Sequence, residues 1–142
     1  MNAYVDSSFL VSSYVTDAHS ALADQRIALG FQIPITPFNR AEFANAVFQQ
    51  SFLHRFTLVE AQRICADFQR DCITGLWTSV DFPHRAWETC ADLARSYGAT
   101  FGIRTLDSLH VACALELRAE RFWTFDERQA RLAEAVGLDT NS

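Results

Sequence analysis

At 142 residues the chain has the length of one domain, and with 49% hydrophobic residues, 12 Phe and 3 Trp it can build a core without disulfides or a structural metal. Its net charge of −5 excludes a generic basic nucleic-acid coat, but not a nucleic-acid enzyme in which a metal supplies positive charge locally. All 12 cationic residues are Arg, which excludes Lys chemistry such as a Schiff base, a P-loop or the usual phospho-receiver and leaves phosphate recognition open.

The first predicted element is a short buried strand, "NAYVD", ending in Asp6. "SSFLVSSYV" follows as a short helix or turn, and "AHSALADQRIALG" as an amphipathic helix closed by Gly30. "IPIT" is a second short strand, its pairing limited by Pro34 and Pro37. A helix is predicted from Asn39, with Phe43, Val47, Phe48 and Phe52 at helical spacing. The next helix aligns Leu58, Ala61, Cys65, Phe68 and Cys72 on one face. "CITGLWTSVDFP" reads as extended and irregular, with room for a strand. Trp87, Cys90, Ala91, Ala94 and Tyr97 mark a helix ended by Gly98, and "ATFGI" a strand or turn. Residues 105–118 form an apolar helix in which Leu106, Leu109, Cys113 and Leu117 are the expected packing residues. "RFWTFD" is a strand with an acid at its end, and "DERQARLAEAVG" a terminal helix closed by Gly137. Alternating strands and helices imply an α/β domain with a short, mainly parallel central sheet flanked by helices on both faces.

Cys65, Cys72, Cys90 and Cys113 form no C-x-x-C motif and read as reduced thiols, which favours a cytoplasmic location. The N-terminus lacks the basic and apolar regions of a signal peptide, and no apolar run reaches the ~20 residues of a membrane span.

Four carboxylates stand where chemistry is built in such folds. Asp6 and Asp126 follow strands, and ligands of open parallel sheets bind beyond the carboxyl ends of strands. Glu42 and Asp107 lie in the predicted first turns of helices that begin at the same edge. Each acid also has a purely structural use. Asp126 with Gln129, and Asn39 with Glu42, fit capping boxes, the latter with a Phe38–Phe43 staple. Asp6 can cap a helix starting at Ser7, and Asp107 sits two residues past a potential cap, Thr105, where the helix dipole favours an anion. Taken together they weigh differently. Two carboxylates ~4 Å apart repel by about 4 kcal/mol at an effective dielectric near 20, so a converging cluster calls for a cation. All-oxygen donors suit Mg²⁺ or Mn²⁺.

"YVDSS", "RAEFANAV", "LDSLHVACAL" and "FWTFDERQARLA" resemble, in that order, the four acidic motifs of PIN-domain ribonucleases, and the length and motif order are similar to VapC-type toxins of toxin–antitoxin pairs. The resemblance runs from Tyr4 to about Leu138 and implies a PIN-like three-layer α/β/α fold, with residues 1–142 as a single domain. It implies that Asp6 and Asp107 hold Mg²⁺ most directly, with Glu42 and Asp126 completing the pocket as catalytic acids or further ligands. Ser7 and Thr124 match small hydroxyl positions beside the first and last acids, and Arg104 precedes the third motif, where it can touch phosphate or simply pair with a surface acid. The implied activity is Mg²⁺-dependent hydrolysis of RNA, with a small cognate antitoxin and a second copy of the chain as partners. Arg40, Arg104 and Arg128 are the candidates for substrate binding. The competing reading is a PIN-fold binding module acting through protein complexes, for which Phe9–Tyr14 and Phe48–Phe52 are candidate surfaces, with ordinary core packing the default for both stretches. His110, three residues after Asp107, reads as a packed, hydrogen-bonded core histidine.

Overall fold

A computed structural model describes residues 1–142. The elements are β1 (Ala3–Val5), α1 (Ser7–Tyr14), α2 (Ser20–Ile27), β2 (Pro34–Ile35), α3 (Pro37–Phe52), α4 (Leu58–Thr74), β3 (Thr78–Ser79), α5 (Ala86–Phe101), α6 (Thr105–Glu116), β4 (Arg121–Trp123) and α7 (Glu127–Ala135). Every strand pairing is parallel. β1 pairs with β4, Tyr4 opposite Phe122, and β2 pairs with β3, Pro34 opposite Thr78. A bridge between Asn2 and Gln32 joins the two pairs, giving the order β3-β2-β1-β4, and Asp139 adds a last bridge beside Arg121.

Side chains alternate across a strand, and two cores follow from that alternation. Ala3, Val5 and Trp123 point into a core with Phe9, Phe43, Val47, Phe68 and Trp77, covered by α1 to α4. Tyr4 and Phe122 point the other way, into a core with Cys90, Leu109, Ala112, Ala114 and Leu132, covered by α5 to α7. The layers are therefore helix, sheet, helix, as expected. The four cysteines are free, and burial pushes the Cys113 thiol up to about 12. No helix is long and apolar enough to cross a membrane.

Several boundaries differ from the sequence expectation. α3 begins at Pro37 rather than Asn39, because Thr36 is the cap. Its hydroxyl accepts from the Asn39 N–H at 3.3 Å, and the Asn39 side chain accepts from the Thr36 N–H at 2.9 Å. Glu42 is thereby one turn inside the helix and free of capping duty. α5 runs through Gly98 to Phe101 and ends at Gly102, whose φ of 61° is the left-handed conformation glycine favours. Phe101 and Ile103 pack on the second core, which offsets the ~1 kcal/mol cost of a mid-helix glycine. α6 is capped by Arg104, not Thr105, and without a side-chain bond. Leu106, expected to pack, is 49% exposed, whereas Leu109 and Cys113 are buried. Phe9, Leu10 and Val11 are core residues rather than surface, whereas Phe48 and Phe52 are exposed.

Candidate active site

The β1–β4 pairing sets the first part of the site. Val5 lies opposite Trp123, so the next residues, Asp6 and Thr124, leave the sheet side by side. Asp6 is the N-cap of α1 and is 4% exposed. Its Oδ1 accepts from the Phe9 N–H at 3.0 Å and the Ser8 hydroxyl at 2.7 Å, and its Oδ2 from the Thr124 hydroxyl at 2.5 Å. Burial pushes the Asp6 pKa up, and the neighbouring His110 together with these three donors only partly offsets it. Ionised Asp6 therefore favours a nearby positive charge.

Thr124 extends the mesh. Its hydroxyl oxygen accepts from the Asp126 N–H at 2.9 Å, and the Ser8 oxygen accepts from the Phe125 N–H at 3.0 Å. Asp126 caps α7, accepting from the Gln129 N–H at 3.1 Å. The Gln129 side chain does not return to close a capping box. It is buried and donates to the Asp107 carbonyl at 2.9 Å, tying α7 to the first turn of α6.

Asp107 and Asp126 share an open cavity of about 390 Å³ with Arg104, Glu127, Arg128 and Arg131. Arg104 Nε stands 3.4 Å from Asp107 Oδ2, a loose and exposed pair worth little by itself. Arg40 is elsewhere. It donates to the Ser79 hydroxyl at the end of β3 and lines an apolar cavity between α3 and α4, apart from the cavity that Asp107 and Asp126 share.

Glu42 is reached from the opposite side. Its Oε1 is 2.6 Å from His110 Nε2, and His110 Nδ1 is 2.8 Å from the Tyr4 hydroxyl. Asn39 spends its carbonyl oxygen on Thr36 and donates from Nδ2 to Tyr4 at 3.2 Å and to the Val5 carbonyl at 3.1 Å. In the neutral imidazole, Tyr4 then donates to Nδ1 and Nε2–H donates to Glu42. The His110 bond lowers the Glu42 pKa, against burial and with help from the charges of His110 and Arg104. Buried His110 is thus the core residue expected from its sequence setting, and it also holds an acid of the site.

Asp6, Thr124 and Asp126 are brought into one hydrogen-bonded mesh. Asp107 joins it through its carbonyl and shares a cavity with Asp126, and Glu42 reaches α6 through His110. No three His, Cys, Asp or Glu side chains stand together as a ready metal cage. The donors nonetheless fit a hard divalent cation by type, being oxygens only, with ionised Asp6 costly without compensation. Ser7 does not bond to Asp6; Ser8 does. Sequence reasoning missed Ser8, the tie from Gln129 to the Asp107 carbonyl and the second use of His110. Only Ser8 had a local signal, a hydroxyl two residues after a capping acid.

A family profile described as PIN domain matches residues 3–135. The chain belongs to the PIN domain family. This PIN domain is similar in fold to the crystal structure of VapBC2 from Rickettsia felis bound to a DNA fragment from their promoter. The TM-score is 0.66 at 17% identity, over 99% of this chain and 98% of that one. No curated protein matches the sequence.

Proposed function

We propose that this PIN domain is a Mg²⁺-dependent endoribonuclease, the toxin half of a toxin–antitoxin pair. The observation that carries this reading is the mesh in which the Thr124 hydroxyl joins the Asp6 carboxylate to the Asp126 backbone N–H at the carboxyl edge of a parallel sheet. Asp6 and Asp107 would hold Mg²⁺, or Mn²⁺ in its place, with Glu42 and Asp126 as further ligands. Such an ion, when bound, lowers the pKa of water and offsets charge developing on phosphoryl oxygens. Thr124 and Ser8 keep the Asp6 carboxylate fixed. Glu42, held ionised by His110, orients the attacking water. Arg104 and Arg128, on the cavity shared by Asp107 and Asp126, bind the phosphodiester, and Ser7 adds a hydroxyl on the α1 side. Water adds to phosphorus, the bond to the 3′ oxygen breaks, and that oxygen takes a proton, leaving a 5′-phosphate. Because the chain is acidic overall, binding rests on these local Arg residues and weakens with salt.

One observation also supports a partner protein. Phe52, Leu53, Leu58 and Val59 are exposed at the turn between α3 and α4, and Ile73 is exposed near the end of α4, where it lines an apolar cavity of about 530 Å³. A cognate antitoxin or a second copy of the chain would cover this surface. The discriminating experiment incubates the protein with mixed structured RNAs in Mg²⁺ or EDTA, beside Asp107→Asn. Cleavage is expected in Mg²⁺ alone, with the variant reduced at least 100-fold, roughly the loss seen when one group of a catalytic set is removed. Cleavage in EDTA, or a fully active variant, defeats the metal reading. Absence of cleavage from every RNA leaves the binding-module reading.

A further inference from the structure

Next to Asp6, on the α1–α2 side, lies a column of four aromatic rings that ends in solvent. Buried Trp123 packs on Phe9 with centroids 5.5 Å apart. Phe9 stacks on Phe125 at 5.7 Å and 16°, and Phe125 stacks on His19 at 4.3 Å and 10°. His19 is exposed, and Phe125 covers one of its faces, so the column presents its other face to water. Its backbone N–H is tied to Asp17 at 2.8 Å, which fixes the base of the side chain, and no ring nitrogen is spent on a hydrogen bond to the protein.

The column opens onto a cavity of about 360 Å³ lined by Ser7, Ser8, His19, Gln50 and Phe125 among others. Ser8 bonds to Asp6, and Phe125 lies between Thr124 and Asp126, so the cavity adjoins the acidic edge within one residue on two elements. The Ser7 hydroxyl and the half-buried Gln50 amide make no hydrogen bond to the protein, leaving donors and acceptors for a planar polar ligand. Asp17 also lines the cavity, but its two oxygens are engaged by Ser12, Ser20 and the His19 N–H.

The geometry points to a nucleobase subsite: a base of single-stranded RNA, adjacent to the phosphate at the acidic edge, stacks on His19 as the fifth ring of the column. This rests on the ribonuclease reading above. Stacking accepts any base, and Ser7 and Gln50 are placed to bias the choice through the base edge.

The test uses a short fluorescein-labelled single-stranded oligoribonucleotide and an abasic counterpart of the same length. Binding is measured in EDTA so that no strand is cut, and cleavage of the first strand is followed separately in Mg²⁺. His19→Ala is expected to weaken binding of the base-bearing strand by roughly 5- to 150-fold, the span of one base–aromatic stack. It should leave the abasic strand nearly unaffected and raise KM more than it lowers kcat. His19→Phe should restore most of the affinity. Equal losses for the two strands, no loss, or no rescue by Phe overturns the subsite. Cleavage with KM unchanged in His19→Ala defeats the subsite and leaves the ribonuclease reading standing. Base-dependent binding without any Mg²⁺-dependent cleavage supports the subsite and defeats the ribonuclease reading.

Discussion

The two faces of the sheet are packed on different principles. The face under α1 to α4 is filled by large rings: Phe9, Phe43, Phe68, Trp77 and Trp123. The face under α5 to α7 buries no tryptophan and sets six small side chains, Ala86, Cys90, Ala112, Cys113, Ala114 and Ala133, among Tyr4, Phe122 and its leucines. Small residues let helices approach closely and leave little freedom to shift. α6, which carries Asp107 and His110, lies on that face and is buried at every position from Ser108 to Ala114. Large rings fill volume with looser geometric demands, and their face leaves Phe52 and Ile73 more fully uncovered, at 78% and 80%, than Trp87 and Leu106 on the other, at 53% and 49%. The small-residue face is thus built to fix a site, and the aromatic face to hold the sheet and offer surface.

The sharpest way to break this comparison is to overfill each face. Ala112→Leu inserts three carbons where nothing can yield, and a destabilisation of about 1–3 kcal/mol is expected. Ala61→Leu overfills the other face by the same three carbons and should cost less, about 1 kcal/mol. Urea unfolding measures both. Equal costs would mean that the faces are packed alike. Ala112→Leu should also lower RNA cleavage beyond its stability cost, because it displaces the helix that carries Asp107.

Tyr4→Phe asks whether the small-residue face also orients Glu42. Tyr4 is fully buried, stacked on Phe122 at 5.5 Å, and its hydroxyl connects Asn39 to His110. Removing that oxygen should cost about 1 kcal/mol, the net worth of a typical hydrogen bond. Cleavage should fall by more than that stability loss explains, because the His110 ring that holds Glu42 loses its anchor. Loss of stability with unchanged cleavage would confine Tyr4 to packing.

The same contrasts decide which features are legible in the sequence. Asp6 and Asp126 were readable as edge residues because each directly follows an apolar run, and a parallel sheet places such positions at one edge. The order of elements was readable for the same reason. Strands of two or three residues carry almost no periodicity, so β3 was only an irregular stretch until Ile33 and Ile35 supplied its partners. Gly98 looked like a helix end because a local rule favours glycine there, yet tertiary packing of Phe101 carried the helix on to Gly102. The Thr36 cap was hidden by a stronger-looking Asn39–Glu42 pattern. The Glu42–His110 bond spans 68 positions and has no local signature at all.

A smaller effect separates the loop between α1 and α2 from the acidic edge by pH. Burial works to raise the Asp17 pKa, but the His19 N–H and the hydroxyls of Ser12 and Ser20 outweigh it, and the folded value is lowered. A carboxylate depressed in the folded state adds stability above its unfolded pKa of about 3.9, and that stability is lost as pH falls through the folded value. Thermal unfolding between neutral pH and about pH 3 should therefore show a decline that is shallower in Asp17→Asn. Asp6, raised by burial, has the opposite sign and works against that decline. An identical pH profile in Asp17→Asn would show that the loop bonds add no net stability.

The smallest expected change in stability tests the other half of the comparison. Phe52 is 78% exposed and Ile73 is 80% exposed, so neither contributes much to burial within the chain. Phe52→Ser with Ile73→Ser should alter stability by no more than about 0.5 kcal/mol, as surface changes usually do. If the aromatic face offers these side chains to a second copy or to an antitoxin, the double variant loses association while its melting temperature stays put. Light scattering across a concentration series, beside a thermal melt, reads both quantities. A substantial drop in melting temperature at low concentration, where the chain is monomeric, would place the two side chains in the core and end the distinction between a face that fixes and a face that offers. Unchanged stability with weakened association would sharpen it, and Trp87 and Leu106, 53% and 49% exposed on α5 and α6, supply the matched control: serine at both should leave association intact.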